Sequence, residues 1–327
     1  MGAEKLADNK NLNAIADAAN ILKQVVSNVS QVVRGKEDAI TKAVATWVSG
    51  GHVLLEDVPG TGKTMLARAI AKSVNVTFKR AQFTPDMLPS DILGANIFNR
   101  KTHDFDFRPG PIFATLFLAD EINRATPRTQ SALLEGMSEK QVSIDGVTYA
   151  LDPLFFVIAT ANPVEQAGTF PLPEAQLDRF AIRMTLGYPD DAQEREIVIA
   201  QHSGHPIDQL QAVIEADHLI AIRQASEQIE IHQPVLEYAI SIIKKSRTHG
   251  KIALGGSPRA TLALTKLAKV LAMLKGRDFV SPDQIQELVK PILGHRLILT
   301  SDARFAGESV SEVLDEVIQS VPVPVGT

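Results

Sequence analysis

The chain has 327 residues, of which 45% are hydrophobic and 22% are charged. These values predict a globular protein with more than one domain. The absence of cysteine excludes disulfide bonds, zinc–thiolate sites, iron–sulfur clusters and a cysteine nucleophile. The net charge of -5 disfavours a nucleic-acid binder, because phosphate contacts supply most of that affinity and require a basic surface.

The N-terminal residues 1–33 predict a helix and no targeting segment. Ile15, Leu22 and Val29 belong to an apolar series at helical spacing. The first residues lack the charged-then-apolar layout of a signal peptide, and no apolar run reaches the roughly 18 residues of a membrane span. We therefore expect a cytoplasmic protein with an N-terminal helical segment.

Between residues 34 and 189, short apolar runs alternate with helical segments. The runs are His52–Leu55, Val76–Arg80, Thr115–Ala119, Leu154–Thr160 and Ile182–Leu186. Continuous apolar runs bounded by turn residues are typical of strands that are buried on both faces. This region therefore predicts an α/β core in which a mostly parallel sheet lies between helices.

Residues 190–327 show helical patterns only. Four leucines between Leu264 and Leu274 would share one helix face, and Gly276 follows as a stop. From Val321 onward, a segment rich in proline and valine predicts an extended or disordered tail. The chain is therefore expected to end in an all-α domain with a C-terminal tail.

The segment HVLLEDVPGTGKTM, residues 52–65, combines a buried strand, a glycine-containing loop and a helix that opens at Lys63. Such a turn directs backbone N–H groups and a helix N-terminus at one point, which suits a polyphosphate. Lys63 would reach the β- and γ-phosphates, and the Thr64 hydroxyl would ligate Mg²⁺. The strict pattern has glycine where this chain has Asp57. The residues that we assign to nucleotide binding in this loop are Pro59, Gly60, Thr61, Gly62, Lys63, Thr64 and Met65.

Two further apolar strands end in polar side chains that suit phosphate chemistry. One runs directly into Asp120 and Glu121, and the other is followed by Asn162. The carboxyl ends of parallel strands meet at one edge of a sheet, so these side chains should face the phosphate loop. Asp120 would hold Mg²⁺, and Glu121 would polarise the attacking water. Asn162 would hydrogen-bond the γ-phosphate and the water, or alternatively would only shape the turn before Pro163.

Two arginines are candidates for contact with the γ-phosphate. Arg259 lies in the first turn of a helix, where the helix dipole opposes a cation unless an anion is near. Arg179, just before the last core strand, would act as an arginine finger on the nucleotide of a neighbouring subunit. Arg124 and Arg128 are alternative fingers, and ordinary surface ion pairs are the alternative for both arginines.

Four strings stand out in chain order, LLEDVPGTGKT, LADEINRATPRTQSALLEGM, TANPVEQAGTFPLPEAQLDRF and GGSPRA, and the similarity that they indicate runs from about Val32 to at least Arg259. In this order they resemble the MoxR family of AAA+ ATPases, in the helix-2-insert clade. The resemblance implies an AAA+ P-loop core followed by an all-α lid domain. It also implies that Asn162 is sensor 1, Arg259 is sensor 2, Arg179 is the arginine finger, and Val33 and Gly35 lie where the adenine binds.

The resemblance further implies two insertions that face a central pore. One is the stretch from Phe83 to about Arg108, and the other is a hairpin of Gln141–Ile144 and Val147–Leu151 that turns through Asp145 and Gly146. Members of the family are regarded as hexameric, chaperone-like ATPases that use ATP and Mg²⁺. They often work with a partner that carries a von Willebrand factor A domain, in the assembly of metalloenzymes and other complexes.

Three other functions remain open at the sequence level. A nucleotide-gated binding module would bind ATP without appreciable hydrolysis, but the presence of Glu121 and Asn162 argues against it. A nucleic-acid motor would share both insertions, but the net charge disfavours it. A magnesium-chelatase-type subunit is a closer relative, and its detection would require a porphyrin substrate and the other subunits of the enzyme. The sequence does not predict the client protein or the ring size. It also does not predict whether Arg259 acts on the nucleotide of its own subunit or of a neighbour.

Overall fold

The computed structural model describes residues 2–163, 168–202 and 204–324. The strands are, in chain order, β1 Val53–Glu56, β2 Phe78–Gln82, β3 Gly94–Asn99, β4 Asp104–Pro109, β5 Leu116–Asp120, β6 Gln141–Ile144, β7 Val147–Ala150, β8 Phe156–Ala161, β9 Ile182–Met184, β10 Ile252–Leu254 and β11 Ile298–Leu299. The α-helices are α1 Gly2–Ser30, α2 Glu37–Val48, α3 Lys63–Ser73, α4 Pro89–Leu93, α5 Pro127–Glu139, α6 Glu174–Leu177, α7 Asp191–His202, α8 Pro206–Gln209, α9 Ala216–Glu227, α10 Gln233–Thr248, α11 Pro258–Leu274, α12 Pro282–Leu293, α13 Ser301–Phe305 and α14 Val310–Gln319. Across these ranges we find no helix with the length and apolar character that a membrane crossing requires.

The central sheet has five parallel strands in the order β2-β5-β8-β1-β9. Each predicted core strand is present, and its ends differ from the prediction by no more than two residues. Because the strands are parallel, the carboxyl ends of β1, β5 and β8 lie at the same edge of the sheet. The predicted α/β core is therefore confirmed, and this edge is where the candidate side chains should meet.

Alternate residues of each strand face opposite sides of the sheet, and each side has its own apolar cluster. Val53 and Leu55 pack on the side of α1, α2 and α3, whereas Leu54 packs on the side of α5. Both faces are covered at β1, β5 and β8, which explains why these strands read as continuous apolar runs in the sequence.

The C-terminal helices pack against the core through the first of these clusters. Leu22 of α1, Leu219 of α9 and Leu264 of α11 are fully buried in it. One departure from an all-helical domain is the antiparallel pair β10–β11. Strands of three and two residues are too short to produce a periodic pattern, so the sequence could not predict them. Residues 325–327 of the predicted tail lie outside the described residues.

Both predicted insertions contain antiparallel hairpins. The first contains α4 and the pair β3–β4, and the second is the pair β6–β7. Asp145 and Gly146 have φ values of 51° and 80°, as a two-residue turn with two left-handed positions requires. The predicted turn is therefore confirmed.

Candidate functional site

The phosphate loop lies between β1 and α3, and its two glycines adopt backbone conformations that other residues avoid. Gly60 and Gly62 have φ values of 86° and 89°. A Cβ atom built on either glycine would meet no other atom within 4 Å, so both face open space. Helix α3 begins directly afterwards, at Lys63, as predicted. The loop thus offers a bare backbone and a helix N-terminus to an anion.

The ammonium group of Lys63 folds back over the loop. Its Nζ donates hydrogen bonds to the carbonyl oxygens of Asp57 and Val58 at 2.8 and 2.7 Å. Partial burial lowers the pKa of Lys63, and the carboxylates of Asp57, Asp120 and Glu121 oppose that shift. The lysine therefore lies between the loop and the acidic pair, where it can bind a phosphate.

Asp57, the residue that departs from the strict loop pattern, has a structural explanation. Its Oδ1 accepts a hydrogen bond from the backbone N–H of Val58 at 2.9 Å. Its Oδ2 accepts from the N–H groups of Leu186 and Gly187, both at 2.7 Å. The carboxylate is buried, so it fastens the start of the phosphate loop to the segment that follows β9.

The acidic pair at the end of β5 is held by the neighbouring strand β8. The Thr160 hydroxyl donates to Asp120 Oδ1 at 2.6 Å and accepts from the backbone N–H of Glu121 at 2.8 Å. Glu121 has a φ of 55°, a left-handed conformation that is uncommon outside glycine. The role of Thr160 was not predicted, although its position as the last residue of the predicted sensor strand placed it beside the pair.

Each carboxylate of the pair also has an arginine partner in the same subunit. Arg80 of β2 binds Asp120 through two nitrogens, at 3.0 and 2.6 Å. Arg124 Nη1 lies 2.8 Å from Glu121 Oε2. Sequence reasoning missed the contact of Arg80. It treated Arg124 as an alternative finger for a neighbouring site, whereas the structure pairs it with Glu121.

Asn162 follows β8 directly, as predicted, and is buried. It lines a single pocket together with the phosphate loop and both members of the acidic pair. The pocket is lined by Pro59, Gly60, Gly62, Lys63, Thr64, Met65, Arg80, Gln82, Asp120, Glu121, Thr160, Ala161 and Asn162. The structure therefore brings the phosphate loop, the acidic pair and Asn162 of one subunit together.

A second, more apolar pocket adjoins the first and suits a nucleobase. It is lined by Val32, Val33, Arg34, Lys36, Gly60, Thr61, Gly62, Met65, Pro189, Ile197, His205 and Pro206. The two pockets share Gly60, Gly62 and Met65. Gly35 does not line the pocket. Its φ is 69°, and a Cβ atom there would lie 2.1 Å from the Gln193 side chain, so this glycine permits a close approach of two segments.

Neither of the predicted γ-phosphate arginines lines these two pockets. Arg179 is half-buried and donates a hydrogen bond to the carbonyl oxygen of Leu134 in α5. Arg259 is exposed in the first turn of α11, and Arg128 is exposed in the first turn of α5. Within one subunit, therefore, the structure does not bring Arg179 or Arg259 to the phosphate loop.

Family models match both parts of the chain. The model for the ATPase family associated with various cellular activities (AAA) matches residues 52–182, and the model for the AAA lid domain matches residues 244–317. The first match contains the phosphate loop, the acidic pair and Asn162. The second contains α11 and Arg259.

Three similar proteins cover nearly the whole chain. The uncharacterized protein YeaC of Bacillus subtilis is 46% identical over 94% of this chain and 97% of its own length. Chaperone MoxR1 of Mycobacterium tuberculosis is 37% identical over 95% of this chain and 84% of its own length. A crystal structure described as a candidate ATPase, from Cytophaga hutchinsonii, has a TM-score of 0.90 and 37% identity, and covers 99% of this chain and 100% of its own. The family matches, these similarities and the assembled phosphate site together show that the chain belongs to the MoxR family of AAA+ ATPases.

Proposed function

We propose that this ATPase hydrolyses Mg·ATP within a ring of subunits and uses the energy to remodel a partner protein or complex. The observation that carries the proposal is the single pocket in which Lys63, Thr64, Asp120, Glu121 and Asn162 meet. Phosphoryl transfer to water requires bound phosphates, a positioned water and stabilisation of charge. Residues suited to the first two requirements are all present in one subunit.

The donor set of the pocket fits Mg²⁺. Thr64 offers a hydroxyl oxygen and Asp120 a carboxylate oxygen, which are the hard ligands that this ion prefers. No group of three or more histidine, cysteine, aspartate or glutamate side chains with ligand spacing exists in the described ranges. A small number of protein ligands is usual for Mg²⁺, because the ion takes its other ligands from phosphates and water. When bound, the ion would neutralise phosphate charge.

The side chains of this subunit would divide the chemistry as follows. Lys63 binds the phosphates, since its ammonium lies between the loop and the acidic pair. Glu121 holds the attacking water and accepts its proton. Asn162 orients the same water from the end of β8. Arg34 and Arg80 line the two pockets, but they are paired with Glu196 and Asp120. This assignment therefore leaves the charge that develops on the γ-phosphate without an arginine of the same subunit to stabilise it.

A neighbouring subunit supplies the missing cation in our proposal. Arg179 and Arg259 lie outside the pockets of their own subunit, and Arg259 is exposed. Arg179 is our candidate for the finger that acts in trans, and Arg259 for the sensor on the lid. The Glu121 contact of Arg124 makes that residue a weaker finger, and Arg128 remains an alternative.

The remodelling role rests on similarity and on one exposed surface. The related protein of M. tuberculosis is named a chaperone. In this chain, hairpin β3–β4 presents Phe98 and Phe105, which are 49% and 63% exposed and contact each other at 5.4 Å between ring centroids. Exposed aromatic residues on an insertion can contact an unfolded client. A hexameric ring in the cytoplasm, with a partner that carries a von Willebrand factor A domain, completes the proposal.

The experiment is a mixture of two inactive variants. Glu121→Gln subunits should bind ATP without turnover, and Arg179→Ala subunits should lack the finger. In a mixture, a Glu121→Gln subunit can supply Arg179 to the intact Glu121 of an Arg179→Ala neighbour. At equal amounts, random assembly should restore activity at about a quarter of the interfaces, because the interfaces of a ring are head-to-tail.

ATP hydrolysis by the mixture would be compared with the mean of the two variants measured alone. Lys63→Ala subunits in place of Arg179→Ala subunits are the control, since loss of nucleotide binding cannot be rescued by a neighbour. A mixture no more active than its components would reject the trans role of Arg179. Full turnover by Glu121→Gln alone would reject the catalytic assignment.

A further inference from the structure

Arg80 is a cation that lines the same pocket as the phosphate loop and the acidic pair, but it belongs to neither motif. It lies on β2, at the edge of the sheet, where it lines the pocket and its side chain is 46% exposed. Its Nε and Nη2 donate to Asp120 Oδ2 at 3.0 and 2.6 Å. Nη2 also donates to Gln82 Oε1 at 2.7 Å. The guanidinium is therefore fixed by three hydrogen bonds.

The two bonds from Arg80 to Asp120 occupy Oδ2, which is the carboxylate oxygen that the Thr160 hydroxyl leaves available to a metal ion. Oδ1 is taken by the Thr160 hydroxyl at 2.6 Å, and Oδ2 by Arg80. The Asp120 side chain is only 11% exposed, so few other directions of approach remain. A charge-assisted contact of this kind is among the stronger hydrogen bonds in proteins. An ion or a metal-bound water that reaches Oδ2 must share this oxygen with the guanidinium or displace it.

Charge makes sharing unfavourable. A guanidinium and a divalent cation at one oxygen repel each other, and the repulsion is stronger in a partly buried pocket than in water. Gln82 provides a second anchor that keeps the displaced guanidinium at the pocket edge. Displacement from Asp120 would leave the guanidinium held by Gln82 alone.

We propose that Arg80 competes with the metal ion for Asp120 and thereby sets the Mg²⁺ concentration that the ATPase requires. Arg80 is thus a positioning residue and not a ligand of the substrate. The inference rests on the proposed function, in which Asp120 faces Mg²⁺. It goes beyond that function because it assigns the metal requirement to a residue outside the phosphate-loop and acidic motifs.

The test measures metal affinity directly, with Mn²⁺ as the probe. The full chain would be saturated with ADP, which is not consumed, and the free Mn²⁺ would be quantified by its electron paramagnetic resonance signal. Arg80→Gln should bind Mn²⁺ roughly tenfold more tightly than the unmodified chain, because a charge-assisted competitor is removed. Arg80→Lys, which keeps the charge but not the forked geometry, should fall between the two.

Lys79→Gln is the matched control, since it removes the same charge from the adjacent residue of β2, which alternates to the other side of the strand. It should leave the Mn²⁺ affinity unchanged. Equal Mn²⁺ affinity in Arg80→Gln, Arg80→Lys and the unmodified chain would overturn the inference, as would weaker binding in Arg80→Gln.

Asp120→Asn separates this inference from the proposed function. Weaker Mn²⁺ binding in Asp120→Asn supports the metal site whatever Arg80 does. Unchanged binding in Asp120→Asn would reject the metal site itself, and the competition with it. An unchanged Arg80→Gln together with a weakened Asp120→Asn would overturn only the role of Arg80.

Discussion

Asp57 stands where the strict phosphate-loop pattern has glycine, and a tertiary contact explains the difference. The glycine of the strict loop pattern supplies backbone freedom, but the aspartate at this position accepts three backbone hydrogen bonds from Val58, Leu186 and Gly187. Those donors belong to the phosphate loop and to the segment after β9. The residue therefore couples the nucleotide site to the point where the chain leaves the sheet for the C-terminal helices.

We expect Asp57→Gly to lower both the stability and the ATP affinity of the protein, although it restores the strict loop pattern. Removal of the buried carboxylate leaves three N–H groups without an acceptor and should lower the free energy of unfolding by about 3 kcal/mol. ATP affinity should also fall, because the loop loses its attachment. Urea unfolding and nucleotide titration would measure the two effects.

Asp57→Asn is the comparison variant for this prediction. Its amide oxygen can still accept from Leu186 and Gly187, whereas its NH₂ group would face the Val58 N–H. Asn should therefore be less damaging than Gly. A glycine variant with the stability and ATP affinity of the unmodified chain would show that the contact contributes nothing.

Three helical segments meet at Asp178, and they connect the core with the C-terminal domain. The carboxylate follows α6 and accepts from the Ser257 hydroxyl, at 2.8 and 2.9 Å, and from Arg296 Nε at 2.8 Å. Ser257 is the N-cap of α11, and Arg296 follows α12. The two candidate arginines lie beside these contacts, because Arg179 is the next residue after Asp178 and Arg259 lies two residues after Ser257.

We predict that Asp178→Ala reduces ATP turnover more than ATP affinity. The phosphate loop keeps its own contacts, but the segments that carry Arg179 and Arg259 lose the carboxylate that joins them through Ser257 and Arg296. In the proposed function both arginines act on the transition state, so their displacement should lower turnover roughly tenfold or more. Steady-state hydrolysis and direct nucleotide binding would be measured on the same preparations.

Lys290→Ala is the control for this prediction. It breaks an ion pair with Asp315 that lies entirely within the C-terminal helices, so both turnover and affinity should be retained. A parallel loss of affinity in Asp178→Ala would indicate general destabilisation instead of displaced arginines. Arg296 is nearly fully buried, so its own removal is a less informative test.

At the scale of the whole molecule, the sequence predicted the sheet and the centre of the site well. The central strands β1, β5 and β8 are buried on both faces, and this burial produces the apolar runs that locate them. Residues that follow parallel strands must share one edge, so the meeting of Asp120, Glu121 and Asn162 followed from their positions in the chain.

The contacts that the sequence could not predict depend on strand order and register. Arg80 meets Asp120 only because β2 is the neighbour of β5 and pairs with it in one particular register. Asp57 reaches Leu186 and Gly187 only because β1 lies beside β9. Periodicity locates strands but carries no information about which strands are adjacent. Long-range polar contacts of this kind therefore require the structure.

Two buried histidines make the stability of the molecule depend on pH. His52 accepts from the Val157 N–H at 3.0 Å and lies 3.1 Å from the Met137 carbonyl oxygen, which suits a neutral ring that donates through Nε2. Burial lowers the pKa of His52 to about 4, and burial together with Arg296 lowers the pKa of His295 as well. In the unfolded chain, both rings titrate near the ordinary value of about 6.5.

Because the folded pKa values lie below the unfolded ones, the unfolded chain binds more protons as the pH falls below about 6.5, and the free energy of unfolding decreases. For His52 this loss continues down to about pH 4 and amounts to about 3 kcal/mol. We therefore expect urea midpoints to drop steeply between pH 6.5 and 4. His52→Gln keeps one donor and one acceptor but does not titrate. Its urea midpoint should therefore fall less steeply with pH, because unfolding of this variant takes up about one proton fewer.

His232→Gln, at an exposed position, is the control that should retain the slope of the unmodified chain. Identical slopes for His52→Gln and the unmodified chain would show that protonation of His52 is not coupled to folding.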